Sequence, residues 1–158
     1  MEIKILGKNT IISKEEMRYM LNFFGDILLG KRLSKHIYLE VENTDFDDNN
    51  EMGYCNYTDY GYGKHREFTI ELNRNLPYDQ QVDTLAHEMV HVKQFARNEW
   101  KMYEKEGLYS WMGKRMYIPD NKYSERYRKL PWEKEAYLSE PWLAGFYQKH
   151  CNKNSLEW

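Results

Sequence analysis

Five histidines occur in this 158-residue chain. Two of them, His87 and His91, stand four apart in the segment TLAHEMVHVKQF (84–95), with Glu88 beside the first. On a helix, residues four apart share a face one turn apart, so both imidazoles can reach one ion. Glu88 is one residue round from His87, where a carboxylate can stand next to a water on that ion. Two nitrogen ligands and an adjacent base are the mechanical content of the H-E-x-x-H pattern. The chemistry it implies is zinc-assisted hydrolysis, with Glu88 as general base.

A hydrolytic zinc site needs a third protein ligand and an open position. Beyond His91 the only histidine is His150 and the only cysteine is Cys151, which leaves carboxylates. Glu99, Glu104, Glu106 and Glu125 stand in charged stretches that read as solvated surface. Glu133 and Glu135, in LPWEKEAYLSE (130–140), are more informative, because they fall near a helix start among Trp132, Ala136 and Leu138. A carboxylate in apolar surroundings needs a partner to stay charged. The small Ala136 would let this helix come close to the histidine helix.

The elements that must position these groups can be read from periodicity. Residues 14–29 carry Met17, Met20, Leu21, Phe24, Ile27 and Leu28 at helical spacing, with Ser13 as N-cap, Glu16 three residues later and Gly30 at the end. HIYLEVEN (36–43), MGYCNYTDY (52–60) and REFTIEL (66–72) read as strands, and their short connections predict an antiparallel meander. The polar turn DFDDNN (45–50) lacks the glycine and glutamate spacing of a calcium loop. Pro77 opens a helix to about Asn98, whose apolar stripe is Val82, Leu85, Ala86, Met89, Val92 and Ala96. The histidines, with Thr84 and Gln94 nearby, occupy the neighbouring face. GLYSWMGKRMYI (107–118) reads as an aromatic hairpin or extended loop, forming either a second cleft wall or a lid on the core. A last helix begins near Pro131 or Trp132, and Pro141 either kinks it or starts a new one capped from Ser139.

The length suits a single domain, 1–158, with a real core. With 41% hydrophobic and 30% charged residues the chain reads as globular. A net charge of −2 gives no global pull towards nucleic acid or an anionic membrane, so the expected partner is a peptide or protein substrate. The N-terminus shows no signal peptide, no stretch approaches the length of a bilayer span, and two cysteines make no disulfide framework. The expectation is a cytoplasmic protein in a reducing, intracellular setting.

HEMVH followed some forty residues later by PWEKEA resembles the gluzincin-type zinc metallopeptidases, in which a glutamate on a downstream helix is the third ligand. The helix and small antiparallel sheet expected upstream resemble the compact SprT-like and minimal-gluzincin domains of short phage and bacterial proteins. The resemblance spans roughly residues 35–145. It implies an α+β, zincin-like fold: an N-terminal helix and a three-stranded antiparallel sheet on an active-site helix, then a C-terminal helix carrying the third ligand. The glutamate directly before alanine takes that role in the family, which selects Glu135, with Glu133 the fallback. Two features depart from the pattern. SprT-like proteases use a third histidine, which this chain lacks between His91 and His150, and Ser139 stands where many gluzincins have an acidic residue four after the ligand glutamate.

The expected activity is hydrolysis of peptide bonds by a zinc-activated water, with zinc on His87, His91 and Glu135. Tyr123, Tyr127 and Tyr137 are candidate donors to the tetrahedral oxyanion. The resemblance implies that the strand at 66–72 borders the cleft and that an extended substrate pairs with its edge. The competing reading is a non-catalytic zinc-binding or virion-associated interaction module, in which a closed four-ligand site would recruit His150. Glu88 argues against it, because a structural site does not need that carboxylate. The same residues would also serve a hydrolase acting on peptidoglycan or another amide.

Overall fold

The computed structural model describes residues 1–46, 51–59, 64–119 and 126–156. It is a mixed α+β arrangement built on two sheets. The first holds β1 (Glu2–Leu6), β2 (Tyr38–Thr44), β3 (Gly53–Tyr57) and β4 (Glu67–Asn73), in the spatial order β1-β2-β4-β3. The second holds β5 (Trp100–Met102), β6 (Leu108–Trp111) and β7 (Lys114–Tyr117), antiparallel throughout. The helices are α1 (Lys14–Leu28), the short α2 (Gly30–Ser34), α3 (Tyr78–Ala96) and α4 (Pro131–Asn154), the last preceded by a 3-10 turn at Tyr127–Lys129.

The expected antiparallel meander is not what forms. β1, β2 and β4 run parallel, and only β3 is antiparallel, paired along β4. Alternation of Leu39 and Val41 with polar residues states which face of β2 is buried, but not which strand lies beside it. β1, unassigned from sequence, supplies the missing partner. The chain leaves it through α1 and α2 and returns into β2, the helical crossover that parallel neighbours require. β3 then turns back onto the outer side of β4 and becomes an edge.

The inward residues Ile5, Leu39, Val41, Phe68, Ile70 and Leu72 meet α1 and α3 across one core. Ser13 caps α1 as expected, its hydroxyl accepting from the Glu16 amide at 3.1 Å. Buried Glu16 in turn accepts from the Tyr78 hydroxyl at 2.5 Å, tying the start of α1 to the start of α3. α3 is the central element: sheet and α1 on one side, α4 on the other, and almost all of its length buried. Its expected stripe, Val82, Leu85, Ala86, Met89, Val92 and Ala96, is inside the core throughout.

Pro141 does not divide the last helix. α4 runs unbroken from Pro131 to Asn154, with Pro141 exposed on its outer face. The proline only withholds one donor, from the Tyr137 carbonyl one turn earlier. The aromatic hairpin does form, turning at Met112 and Gly113, both with positive φ. Two successive residues in that region make the turn that suits the twist of a two-residue hairpin. Its rings cover the core rather than the cleft: Tyr109 and Trp111 pack on Trp132, and Trp100 stacks between Phe95 and Trp132. No helix among the described residues is long and apolar enough to cross a membrane.

One close approach in the first sheet has a measurable consequence. A Cβ on Gly53 would lie 2.8 Å from the Glu71 carbonyl oxygen, 2.7 Å from the Thr84 methyl and 3.6 Å from Glu88 Oε1. β3 can lie against α3 only because this residue has no side chain. Gly53→Ala is expected to destabilise the protein by roughly 1–3 kcal/mol, the usual range for overpacking a close contact. A urea midpoint shifted by less than a few tenths molar would show that β3 yields freely.

Candidate metal centre

His87, Glu88 and His91 lie in the middle of α3, on the side that faces α4. They are 7%, 5% and 5% exposed, and Glu133, entering from the first turn of α4, is 1% exposed. His87 Nε2 and His91 Nε2 are 3.2 Å apart. Glu133 Oε2 is 3.3 Å from the first and Glu133 Oε1 is 3.4 Å from the second. Ligands held tetrahedrally at about 2.0–2.1 Å from zinc are themselves about 3.3–3.4 Å apart. The group therefore has the ligand spacing of a tetrahedral metal site, with each histidine meeting a different oxygen of the Glu133 carboxylate. It is also the one group of three candidate ligands within reach of each other among the described residues.

The outer ring nitrogens explain why the inner ones converge. His87 Nδ1 is 3.1 Å from Glu140 Oε2, and His91 Nδ1 is 2.8 Å from Gln94 Oε1. Both acceptors require Nδ1–H, which leaves each Nε2 with a lone pair directed at the other and at Glu133. Two imidazole nitrogens and a carboxylate face to face need a cation between them, either a proton on His87 or a metal ion. Glu133 Oε2 has no hydrogen-bond partner despite its burial. An orphaned, buried carboxylate oxygen against two imidazole nitrogens fits a divalent, nitrogen-tolerant metal such as zinc.

The structure brings to the histidines a different glutamate from the one the resemblance selects. Glu135, selected by its place before Ala136, points elsewhere. Its Oε1 accepts from Lys93 Nζ at 2.6 Å and its Oε2 from Gln94 Nε2 at 2.9 Å. The fallback, Glu133, reaches the histidines. Residues two apart on a helix differ by about 200° in direction, so the two carboxylates cannot both face α3's histidines. Trp132, Glu133, Ala136, Leu143, Ala144 and Tyr147 form the buried stripe of α4, and Glu133 belongs to it. Glu135 instead braces Gln94, which also donates to the Trp132 carbonyl at 2.9 Å and so holds His91 in register with α4.

Glu140 was not identified from the sequence. Counted from Glu135, the acidic support for a histidine ligand was sought at position 139 and found to be serine. Counted from Glu133, Glu140 is two turns on and on the same face. Among the other candidates, His150 meets Tyr19 at 2.7 Å and packs on Phe23, engaged at the α1–α4 contact rather than in the triad. Glu99 pairs with Lys93 at 2.6 Å, and Glu104 and Glu106 are exposed. Tyr123, Glu125, the end of the 45–50 turn and most of the 61–65 turn lie outside the described residues.

A cavity of about 600 Å³ opens over His87 and Glu88. α3 contributes Gln80, Asp83 and Thr84 to its wall, the start of β3 contributes Met52, Gly53 and Tyr54, and Tyr127, Arg128, Tyr137 and Glu140 close the far side. The Tyr137 ring stands edge-on to His87 with centroids 4.7 Å apart, and the Arg128 guanidinium sits 5.1 Å over that ring. His91 and Glu133 lie below the floor, backed by the Trp100–Trp132 stack. No family model, curated protein or solved structure matches this chain.

Electrostatics in the metal-free site favour an ion pair. Burial works against a charge on His87, but hydrogen bonding to Glu133 and Glu140 and the nearby Glu88 outweigh it, raising its pKa to about 9. For Glu133, burial works the other way and contact with both histidines prevails, lowering its pKa to about 2. Glu88 is raised, chiefly by burial. A raised histidine stabilises the fold fully below its ordinary 6.5 and loses that contribution as pH climbs through about 9. A lowered carboxylate stabilises it above its ordinary 4.5 and loses that as pH falls towards about 2. Chelator-treated protein is therefore expected to be most heat-resistant between about pH 4.5 and 6.5, with Tm falling on either side. A Tm that rises steadily from pH 6.5 to 9 would contradict this assignment.

Proposed function

We propose that this protein is a zinc-dependent peptidase of gluzincin type, with zinc held by His87, His91 and Glu133. The observation that carries the reading is the pair of Nε2 atoms 3.2 Å apart, each 3.3–3.4 Å from one oxygen of the Glu133 carboxylate, with Glu88 beside them at a cavity floor. A purely structural zinc site closes its fourth position with a protein ligand and has no use for an adjacent base or a cavity. Among the described residues this group has three members, and His87 and Glu88 face the cavity.

Zinc bound there would lower the pKa of a water on its open position towards neutrality and polarise a scissile carbonyl. Glu88, its own pKa raised by burial, is matched to take the water's proton and return it to the leaving amine. Tyr137 is held protonated by burial, and with Arg128 it can donate to the oxyanion that develops on the carbonyl. Glu140 and Gln94 keep the histidine rings turned with Nε2 inward.

Substrate alignment falls to β3 rather than to the strand expected from sequence. β4 has β2 on one side and β3 on the other, so neither edge is free. β3 is the edge strand, and Met52, Gly53 and Tyr54 run along the cavity. A peptide in extended form can add to that edge, with backbone hydrogen bonds providing affinity. The test is digestion of an unfolded protein substrate by zinc-loaded protein, repeated after chelation and after zinc is restored. Cleavage that disappears and returns supports the reading; equal cleavage in all three samples eliminates it.

A further inference from the structure

The cavity over His87 is unbalanced in charge. Glu51, Asp83, Glu88 and Glu140 line it, against Arg128 and, while no metal is bound, His87, whose pKa is raised to about 9. Two of these acids already have work: Glu140 accepts from His87, and Glu88 stands beside the triad. Arg128 lies over the Tyr137 ring. Asp83 and Glu51 remain, one on α3 and one at the entry to β3, and neither side chain has a hydrogen bond or ion pair among the described residues. Asp83 is half-buried, and its carboxyl is raised by that burial and by Glu140 and Asp79, charges of its own sign.

Glu88 makes the vacancy more than a surface feature. It is 5% exposed, faces the cavity and has no hydrogen-bond partner among the described residues. A buried polar group left open towards a cavity is completed by what enters it. Asp83 belongs to no group of three metal-ligating side chains among the described residues, which favours an organic cation over a second metal as its partner. It sits one turn before His87 on α3, four residues or about 6 Å along the axis, close enough to act next to a scissile bond.

We propose that Asp83, assisted by Glu51, binds an ammonium or guanidinium group of the substrate, so that the cleft selects peptides carrying positive charge beside the bond to be cut. This rests on the peptidase reading for its setting. The cation is either a lysine or arginine side chain or the free amino terminus of a short peptide.

Zinc-loaded Glu88→Gln protein, expected to keep its metal and to turn over at least about a hundredfold more slowly, provides a binding measurement separate from activity. Fluorescence anisotropy with labelled octapeptides compares lysine with norleucine at the central position, each with a free and an acetylated amino terminus. Cationic peptides are expected to bind about tenfold tighter, the scale of one charged hydrogen bond. The preference should shrink to about twofold or less on adding Asp83→Asn and should weaken with salt. A preference that follows lysine and survives acetylation identifies the side chain, whereas one lost on acetylation identifies the amino terminus. Equal affinity for all peptides, no binding of any, or a preference unchanged by both Asp83→Asn and Glu51→Gln would overturn the proposal. Zinc stoichiometry reports whether Asp83→Asn has folded, and Glu51→Gln carries the comparison if it has not. Asp83-dependent preference without cleavage by Glu88-intact protein would retain the cation site and remove the peptidase reading alone.

Discussion

Glu133→Gln protein is expected to purify with little or no zinc, whereas Glu135→Gln retains close to one zinc per chain. The two substitutions change the same atom in residues two apart, yet their effects should differ by an order of magnitude or more. Glu133 Oε1 and Oε2 face the imidazole nitrogens, and the Oε2 atom has no other partner. Losing a carboxylate that reaches the metal should weaken zinc binding by more than the roughly 10–100-fold typical of outer supporting residues. Glu135 acts at one remove, through Gln94 to His91, so its substitution belongs in or below that range. Competition against a chromogenic chelator at fixed pH measures both. Equal loss in the two variants, or greater loss in Glu135→Gln, would return the third ligand to Glu135 and require α4 to rotate.

The second large effect separates chemistry from metal binding. Glu88→Gln keeps the volume of the side chain and its place on α3, and Glu88 is not among the three converging ligands. Zinc content should stay near one per chain. Peptide cleavage should fall by roughly 10²–10⁴-fold, the contribution of a positioned general base. Zinc bound at full stoichiometry with cleavage unchanged would leave Glu88 without a catalytic role. The non-catalytic module would then become the better account, since the metal would be a clamp between α3 and α4.

How far sequence reaches differs between the two halves of the site. His87, Glu88 and His91 were legible because a helix converts sequence spacing directly into geometry: four residues are one turn, whatever surrounds them. The apolar stripe of α3 was legible for the same reason. The third member of the triad comes from another helix, and a local motif does not say how that helix is rotated. The stripe of α4 does: Trp132, Ala136, Leu143, Ala144 and Tyr147 mark the buried face, and Glu133 falls on it while Glu135 does not. Glu140 follows from the same stripe once Glu133 is the reference.

By itself the sequence determined most of the elements, though not β1, α2 or β5, and the buried faces of those it showed, together with one rigid fragment of chemistry on α3. Periodicity of 3.6 or 2 is written into each segment independently, so these features do not depend on what lies across the core. Tertiary structure decided what depends on partners. β1 joins β2, so the first sheet is largely parallel and β3 becomes its edge beside the cavity. The Trp100–Trp132 stack and the contact of α3 with α4 set the rotation that aims Glu133 at the histidines and sends Glu135 to Lys93. Strand order and helix rotation are settled by burying whole faces against one another, a property of pairs of segments that no single stretch of residues carries.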